Sequence, residues 1–297
     1  MYRFYVLLAL LAQSNSMLDH VTFQAFAASA LAEDVGPGDY SSLACIPESA
    51  TGTAQLLVKQ HGILAGVDVA VHLFQLLERD IRMDVRCNDG QPIAPGMVAF
   101  RVSGRIHTLL KAERLVLNCM QRMSGIASLT RRYVQELEGT SCRLLDTRKT
   151  TPNFRILEKE AVLIGGGHNH RMGLYDMIML KDNHIDFAGG IAQALERVQA
   201  YLDQHRLDLP IEIEVRSLED LEEVLRHGGV TRIMFDNFSV DAVARGIKMV
   251  HGAYETEASG GITLDTLRNY ALTGVEFIST GAITHQAVSL DLSFKAI

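Results

Sequence analysis

Two adjacent cations, Arg148 and Lys149, follow the short apolar run Leu144-Leu145. Like charges side by side at the end of a strand repel each other unless an anion lies between them. A second pair of donors, His170 and Arg171, follows three consecutive glycines nearby in the chain. Because the protein as a whole is acidic, this local excess of cations predicts a pocket for a small polyanion rather than a surface for a polymer.

Two glycine turns offer the chemistry of a phosphate site. Ser259-Gly260-Gly261 and Thr280-Gly281 each follow an apolar strand and precede a helix. Backbone N–H groups at such a helix start bind phosphate, and the late strands of barrels often carry this site. Either motif alone could be a plain turn. Their occurrence on the last two predicted strands favours a phosphorylated substrate.

Two carboxylates, Glu214 and Asp236, end successive predicted strands. They could hold Mg²⁺, stabilise developing positive charge, or pair with nearby lysine or arginine. We interpret His168 as structural, and Arg155 and Lys159 as the solvated face of a helix.

The elements that must position these residues are six apolar strands that alternate with helices, which predicts a parallel sheet. All six end in polar or glycine residues, as in a barrel, where every strand end meets at one face. Six strands are too few for a complete eight-stranded barrel. The predicted strands are 144–145, 177–180, 211–215, 233–235, 254–258 and 277–278.

The first hundred or so residues read as a small sheet with one helix, followed by a long helix that Ser124-Gly125 interrupts. The predicted strands are 54–58, 63–67, 83–85 and 98–102, and the predicted helices are 68–79 and 107–137.

Composition excludes several classes of protein. A formal net charge of −7 over 297 residues disfavours non-specific binding to nucleic acid or to anionic membranes, and 47% hydrophobic residues exclude intrinsic disorder. Four widely spaced cysteines suggest reduced thiols in the cytoplasm. Residues 1–17 read as an extension, either ahead of a true start at Met17 or as a weak signal-like segment too short to span a membrane.

The motifs together indicate a phosphate-bearing substrate, a carboxylate-bearing substrate and a cationic transition state. They contain no Ser-His-Asp order, no flavin or NAD fingerprint and no metal-cage spacing. In their order they resemble the quinolinate phosphoribosyltransferase family over nearly the whole chain from about residue 18. The segments that carry this resemblance are 33–39, 113–118, 121–127, 146–152, 165–171, 180–185, 236–237, 259–262 and 280–285.

The resemblance implies an α/β protein, with an N-terminal α/β sandwich domain (18–113, joined by a returning strand within 288–297) and a C-terminal open α/β barrel (114–287). It implies transfer of phosphoribose from phosphoribosyl pyrophosphate to quinolinate with loss of CO₂, which gives nicotinate mononucleotide for NAD synthesis. It also implies Mg²⁺ with the phosphoribosyl donor, no organic cofactor, and a homodimer or hexamer with shared active sites. We expect no nucleic-acid or membrane partner.

The family's residue roles transfer onto matching positions. The quinolinate carboxylates would meet Arg148, His170 and Arg171, with Arg114 supplied by a second copy of the chain. Lys149 and Lys181 would serve the phosphoribosyl donor and the departing carboxylate, while Glu214 and Asp236 would face the ribose and Mg²⁺. The remaining substrate-binding positions, most of them for the 5′-phosphate, would be Thr147, Ser259, Gly260, Gly261, Thr280, Gly281 and His285. The family usually has Gly-Leu where this chain has Asn153-Phe154.

Three other functions stay open from the sequence. A related phosphoribosyltransferase could use another acceptor, such as nicotinate, or be the paralogue linked to molybdenum transport. A barrel aldolase or isomerase could use Lys181 as a Schiff base, although that lysine lies among cations rather than in an apolar pocket. A relative without activity could act as a binding protein.

Overall fold

A computed structural model describes residues 20–297, so the predicted extension at residues 1–17 lies outside the described chain. The described chain divides into two compact units. One contains the residues up to Arg131 together with Thr150–Gly166 and Thr284–Ile297, and the other contains Arg132–Lys149 and Gly167–Ile283. The domain boundaries drawn from the sequence stay a prediction. Within the described residues, no helix is both long and apolar enough to cross a membrane.

The elements in chain order begin with α1 (His20–Val35), α2 (Tyr40–Cys45), β1 (Thr51–Val58), β2 (Gly62–Ile63), α3 (Val67–Leu77), β3 (Arg82–Val85), β4 (Pro92–Ile93), β5 (Val98–Arg105) and α4 (Ile106–Glu136). They continue with β6 (Arg143–Leu145), α5 (Arg155–Gly165), β7 (Ile178–Leu180), α6 (Asp182–Ala188), α7 (Ile191–His205), β8 (Ile211–Val215), α8 (Leu218–His227), β9 (Arg232–Asp236), α9 (Val240–Val250), β10 (Glu255–Ser259), α10 (Leu264–Ala271), β11 (Phe277–Ser279), α11 (Ala282–His285) and β12 (Leu292–Ala296).

The first unit is built on a four-stranded antiparallel sheet in the order β12-β1-β5-β3. The last strand of the chain therefore pairs with the first. Phe74 of α3 lies against Phe100 of β5 and stacks on Phe294 of β12, with ring centroids 6.2 and 6.1 Å apart. These buried aromatic contacts join helix and sheet, because an amphipathic helix is stable only when its apolar face is covered.

Helix α4 is continuous, so the predicted break at Ser124-Gly125 is wrong. The Ser124 hydroxyl accepts the backbone N–H of Ala65 (2.9 Å). A Cβ at Gly125 would lie 2.9 Å from the carbonyl carbon of Val288. Ser124 and Gly125 weaken the helical pattern of the sequence, but both make close tertiary contacts. These contacts stabilise the helix where its local propensity is low.

Two other expectations in the first unit are wrong. The predicted strand 63–67 keeps only Ile63, in β2, because Gly66 adopts a left-handed φ of 95° against α4 and helix α3 starts at Val67. Lys159 does not lie on a solvated face, since it is fully buried within α5. Arg155 is half-buried and donates to the Thr150 hydroxyl (2.9 Å).

The second unit contains a six-stranded parallel sheet in the order β6-β11-β10-β9-β8-β7. Its strands alternate with helices, which confirms the predicted open, incomplete α/β barrel. Because all strands are parallel, their carboxyl ends lie at one edge, and this edge carries the candidate site.

The interior of this sheet is charged rather than uniformly apolar. The guanidinium groups of Arg143 and Arg232 lie 4.2 and 4.0 Å from the centre of the Phe277 ring. Cations over an aromatic face are stabilised by its quadrupole, so one phenylalanine keeps two arginines in place at the amino-terminal side of the strands.

Candidate active site

Three charged groups meet at the carboxyl edge of neighbouring strands β7, β8 and β9. Lys181 directly follows β7, whose Leu180 pairs with Ile213, so it lies level with Glu214 on β8. Its ammonium group forms an ion pair with the Glu214 carboxylate. Glu214 is opposite Met234, so Asp236 lies two residues further along the same face of β9. The structure therefore brings together the predicted lysine and both predicted carboxylates.

Two guanidinium groups converge in the same unit. Burial and the neighbouring charge of Arg148 hold the pKa of Arg171 below its ordinary value. Destabilisation of one cation by another is relieved when an anion binds beside them. Both side chains are half-buried, which leaves part of each accessible to a small ligand.

The loop that carries Arg171 is shaped by two aspartates. The Asp176 carboxylate accepts the backbone N–H groups of Met172 (2.6 Å) and Gly173 (2.9 Å). Fully buried Asp146, just after β6, accepts the backbone N–H of His170 (2.8 Å). Short Asp-to-backbone bonds of this kind favour a turn over regular structure. The loop is thus held beside β6 and presents Arg171 at the strand ends.

His170 is buried, and protein groups contact both of its ring nitrogens. Nδ1 accepts the backbone N–H of Arg171 (2.7 Å), and Nε2 lies 3.0 Å from Glu212 Oε2 and 3.5 Å from Glu257 Oε2. Burial opposes charge on the ring, whereas the two carboxylates raise the pKa of His170. Because Nδ1 accepts an N–H, it carries no proton, so the ring hydrogen lies on Nε2 and faces the carboxylates. Burial and the charge of Glu257 also raise the pKa of Glu212.

The glycine turn after β10 is closely fitted to its neighbour. Gly260 has a φ of 93°, and a Cβ there would lie 2.8 Å from the backbone N of Asn237. The Asn237 N–H donates to the Ser259 carbonyl (2.9 Å), and its side-chain amide donates to Asp236 (2.8 Å). Only glycine permits this approach, so the turn also orients the Asp236 carboxylate.

The turn after β11 has the geometry of a helix start. The Thr280 hydroxyl accepts the backbone N–H of Ala282 (3.2 Å), and its own N–H donates to Leu145 of β6 (3.2 Å). Gly281 is buried between them. On the sheet, Ser279 of β11 donates to the Ser259 hydroxyl (3.0 Å), so the two predicted phosphate turns are linked through adjacent strands.

The remaining predicted site residues differ in their exposure and in the compact unit to which they belong. The Thr147 hydroxyl accepts the backbone N–H of Lys149 (3.0 Å) in a tight turn, and Lys149 is exposed. Arg114 on α4 and His285 at the end of α11 are also exposed, and both belong to the first unit rather than to the unit of the strand ends.

Sequence reasoning missed three buried carboxylates near the strand ends, Asp146, Glu212 and Glu257, and the partly buried Arg232. The run Ile-Glu-Ile-Glu-Val in β8 is a signal that could have found one of them. Its alternation places Glu212 and Glu214 on the same face of the strand, so one glutamate had to lie in the sheet interior.

A parallel barrel with converging guanidinium groups, paired carboxylates and glycine turns at its strand ends defines a class of enzyme that acts on small phosphorylated substrates. Sequence models of the quinolinate phosphoribosyl transferase family match the chain in two parts. The N-terminal domain matches residues 39–124 and the C-terminal domain matches residues 126–295.

Comparison with individual proteins gives the same family. The chain is 42% identical over 281 residues to quinolinate phosphoribosyltransferase [decarboxylating] 1b of Nicotiana tabacum, covering 90% of this chain and 80% of that protein. It is 43% identical, with the same coverage, to the chloroplastic nicotinate-nucleotide pyrophosphorylase [carboxylating] of Arabidopsis thaliana. The crystal structure of NadC from Streptococcus pyogenes superposes with a TM-score of 0.87 at 36% identity, covering 94% of this chain and 99% of that one. This chain belongs to the quinolinate phosphoribosyltransferase family.

Proposed function

We propose that this protein transfers phosphoribose from phosphoribosyl pyrophosphate to the ring nitrogen of quinolinate, with release of pyrophosphate and CO₂. The product is nicotinate mononucleotide, a precursor of NAD. The observation that carries the proposal is the placement of two half-buried guanidinium groups in neighbouring segments. Arg148 follows β6, and Arg171 follows the segment whose His168 pairs with Leu145 at the end of β6. An acceptor with two carboxylates supplies negative charges that are complementary to this pair.

The phosphoribosyl donor is best accommodated at the other strand ends. The turns at Gly260 and Gly281 present backbone N–H groups suited to the 5′-phosphate. Glu214 and Asp236 lie on one face of adjacent strands, where they would stabilise the positive charge that develops on the ribose as pyrophosphate leaves.

Mg²⁺ fits the same carboxylates. It prefers carboxylate oxygens and usually binds through one or two of them together with substrate phosphates. Glu214 and Asp236 supply such oxygens, and the Lys181 ammonium beside Glu214 adds a cation for the pyrophosphate. When bound, the ion would neutralise the charge of the leaving group.

Decarboxylation follows from the transfer itself. Once the ring nitrogen carries the ribose it is positively charged, so the C2–carboxylate bond can break and leave its electron pair on C2. A proton then replaces CO₂ at that carbon, which balances the reaction. Lys149 and Lys181 are the cations proposed to face the departing carboxylate and the phosphates.

The experiment that tests the function is an acceptor comparison at fixed phosphoribosyl pyrophosphate and Mg²⁺. We expect quinolinate to give nicotinate mononucleotide and nicotinate to give little or none, since nicotinate lacks the second carboxylate. Arg148→Ala should lower kcat/KM for quinolinate by about a hundredfold or more, because a charged hydrogen bond to a carboxylate is lost. Turnover of nicotinate alone would move the protein to a non-decarboxylating reaction, and turnover of neither would overturn the proposal.

The proposal also covers the oligomeric state of the protein and the cellular compartment in which it works. We infer a homodimer in which the exposed Arg114 of one copy reaches the acceptor in the site of the other, as the family resemblance implies. We also infer a reducing compartment such as the cytoplasm, which the four free thiols of the described chain support. Relatives from plants are chloroplastic or mitochondrial by name, so localisation of a tagged full-length protein would test this.

A further inference from the structure

Four charged side chains form a cluster in the sheet interior, beneath the candidate site. We define this interior cluster as His170, Glu212, Arg232 and Glu257. Glu212 and Glu257 are fully buried and lie on β8 and β10. Buried carboxylates are costly unless a cation or hydrogen-bond donors compensate them, so the cluster needs an explanation beyond packing.

The charged groups of the cluster lie next to one another. Arg232 Nη1 lies 3.0 Å from Glu257 Oε2, and His170 Nε2 lies 3.0 Å from Glu212 Oε2. The three ligand atoms of His170, Glu212 and Glu257 are close enough to hold a metal ion. However, the Arg232 guanidinium lies 3.0 Å from Glu257 Oε2, and a guanidinium so close to the cluster would repel a divalent cation. The arrangement therefore favours an ion-pair network.

His170 connects this network to the substrate side of the sheet. Its ring contacts Glu212 and Glu257 through Nε2, while Nδ1 accepts the backbone N–H of Arg171 (2.7 Å). Its own backbone N–H donates to Asp146 (2.8 Å). The nearby carboxylates orient the ring from the Nε2 side, and the accepted N–H links that orientation to the peptide group of Arg171.

We propose that Glu212 and Glu257 are positioning residues for the acceptor, which act through the His170 ring to hold Arg171 at the strand ends. This inference rests on the proposed function, in which Arg171 binds a carboxylate of quinolinate. In this proposal, the His170 ring anchors the loop, and the two buried glutamates orient that ring without contacting the substrate. An arginine binds a carboxylate tightly only when its guanidinium group is precisely placed. A small rotation of the loop would therefore weaken the binding of quinolinate.

The test uses Glu212→Gln and Glu257→Gln, which keep side-chain size but remove a charge that faces His170. We expect KM for quinolinate to rise about tenfold or more, while KM for phosphoribosyl pyrophosphate and kcat change by less than about threefold. Glu255→Gln is the matched control. Glu255 lies on the same strand and pairs with the same Arg232 (2.8 Å), but it is partly exposed. The carboxylates that face the His170 ring are those of Glu212 and Glu257, so Glu255→Gln should leave KM for quinolinate unchanged.

A second substitution protects the test against a variant that fails to fold. His170→Gln can still accept the Arg171 N–H and donate towards Glu212, whereas His170→Ala can do neither. We expect His170→Gln to retain quinolinate affinity at least about tenfold better than His170→Ala. The melting temperature of every variant is measured alongside, because a merely structural role would lower it without separating the two KM values.

The outcomes are distinct. An inactive wild-type protein would overturn the proposed function and this inference with it. An active wild type whose glutamine variants keep the quinolinate KM, or raise both KM values together, would overturn the inference alone. A stoichiometric metal ion in the purified protein that is lost in Glu212→Gln would also overturn it, since the cluster would then be a metal site.

Discussion

At the scale of the residue, the cations of the site are visible in the sequence because they are neighbours in the chain. Arg148-Lys149 and His170-Arg171 stand side by side, so their repulsion is predictable before any fold is known. The contact between Glu212 and His170 is different, since strand pairing and a loop create it. Glu212 was therefore missed, whereas Glu214, which lies at the end of the same strand, was predicted.

One departure from the family also has a local explanation. Asn153 has a left-handed φ of 61°, a conformation that asparagine tolerates better than most residues and glycine tolerates best. The following Phe154 packs edge-on against Phe26 of α1, with ring centroids 5.5 Å apart. The change from Gly-Leu thus preserves the turn and adds an aromatic contact.

Gly260→Ala should reduce both stability and activity. The left-handed φ alone costs about 1 kcal/mol, and the new methyl group would also press on the backbone of Asn237. Because Asn237 orients Asp236, we expect kcat/KM to fall at least about tenfold together with the melting temperature.

Gly261→Ala is the matched control for that substitution. Gly261 has a φ of 64°, but a methyl group added there would meet nothing within 4 Å, so only the conformational cost of about 1 kcal/mol applies. Equal losses of melting temperature in the two variants would show that the contact with Asn237 has no effect on stability.

At the scale of the element, strand–helix alternation was sufficient to predict the parallel sheet, because each strand and helix carries its own periodicity. The helix α4 was harder to predict. Ser124 and Gly125 weaken a local helical pattern, yet their small size is what the packing against Ala65 and Val288 requires. Local propensity reports the weakness, whereas only the fold shows the compensating contact.

Gly125→Ala tests this explanation. In an exposed helix the substitution would stabilise the protein by about 1 kcal/mol. Here the methyl group would collide with the backbone around Val288, so we expect a net loss of about 2 kcal/mol or more in the free energy of unfolding.

Gly139→Ala serves as the comparison, because a methyl group there meets nothing within 4 Å and only its φ of 82° is unfavourable. Chemical denaturation of both variants gives the difference. A more stable Gly125→Ala protein would show that the close approach to Val288 does not constrain the helix.

At the scale of the whole molecule, the strand count indicated an open barrel, and the six-stranded sheet has that form. The oligomeric state, in contrast, does not follow from the pattern of strands and helices. Arg114 and the guanidinium pair Arg148 and Arg171 belong to different compact units. In the proposed homodimer, the sequence of one chain does not say which copy of Arg114 would serve a given site. That question needs a measurement on mixed subunits.

Mixed dimers should recover activity from two inactive variants. If Arg114 acts across the interface, a dimer of one Arg114→Ala subunit and one Arg148→Ala subunit contains one intact site and one doubly defective site. Random exchange in equal amounts should then restore about a quarter of wild-type activity. Activity is measured after the variants are co-refolded or co-expressed. No recovery, with exchange verified by differently tagged subunits, would place Arg114 in the site of its own chain.

The most direct test of the whole account is the stoichiometry of one reaction mixture containing the protein, quinolinate, phosphoribosyl pyrophosphate and Mg²⁺. Nicotinate mononucleotide, pyrophosphate and CO₂ are quantified together over the same time course. The account predicts that the three accumulate in equal amounts, because ribosylation of the ring is what permits its decarboxylation. Mononucleotide formed without CO₂, CO₂ released without mononucleotide, or no product at all would contradict it.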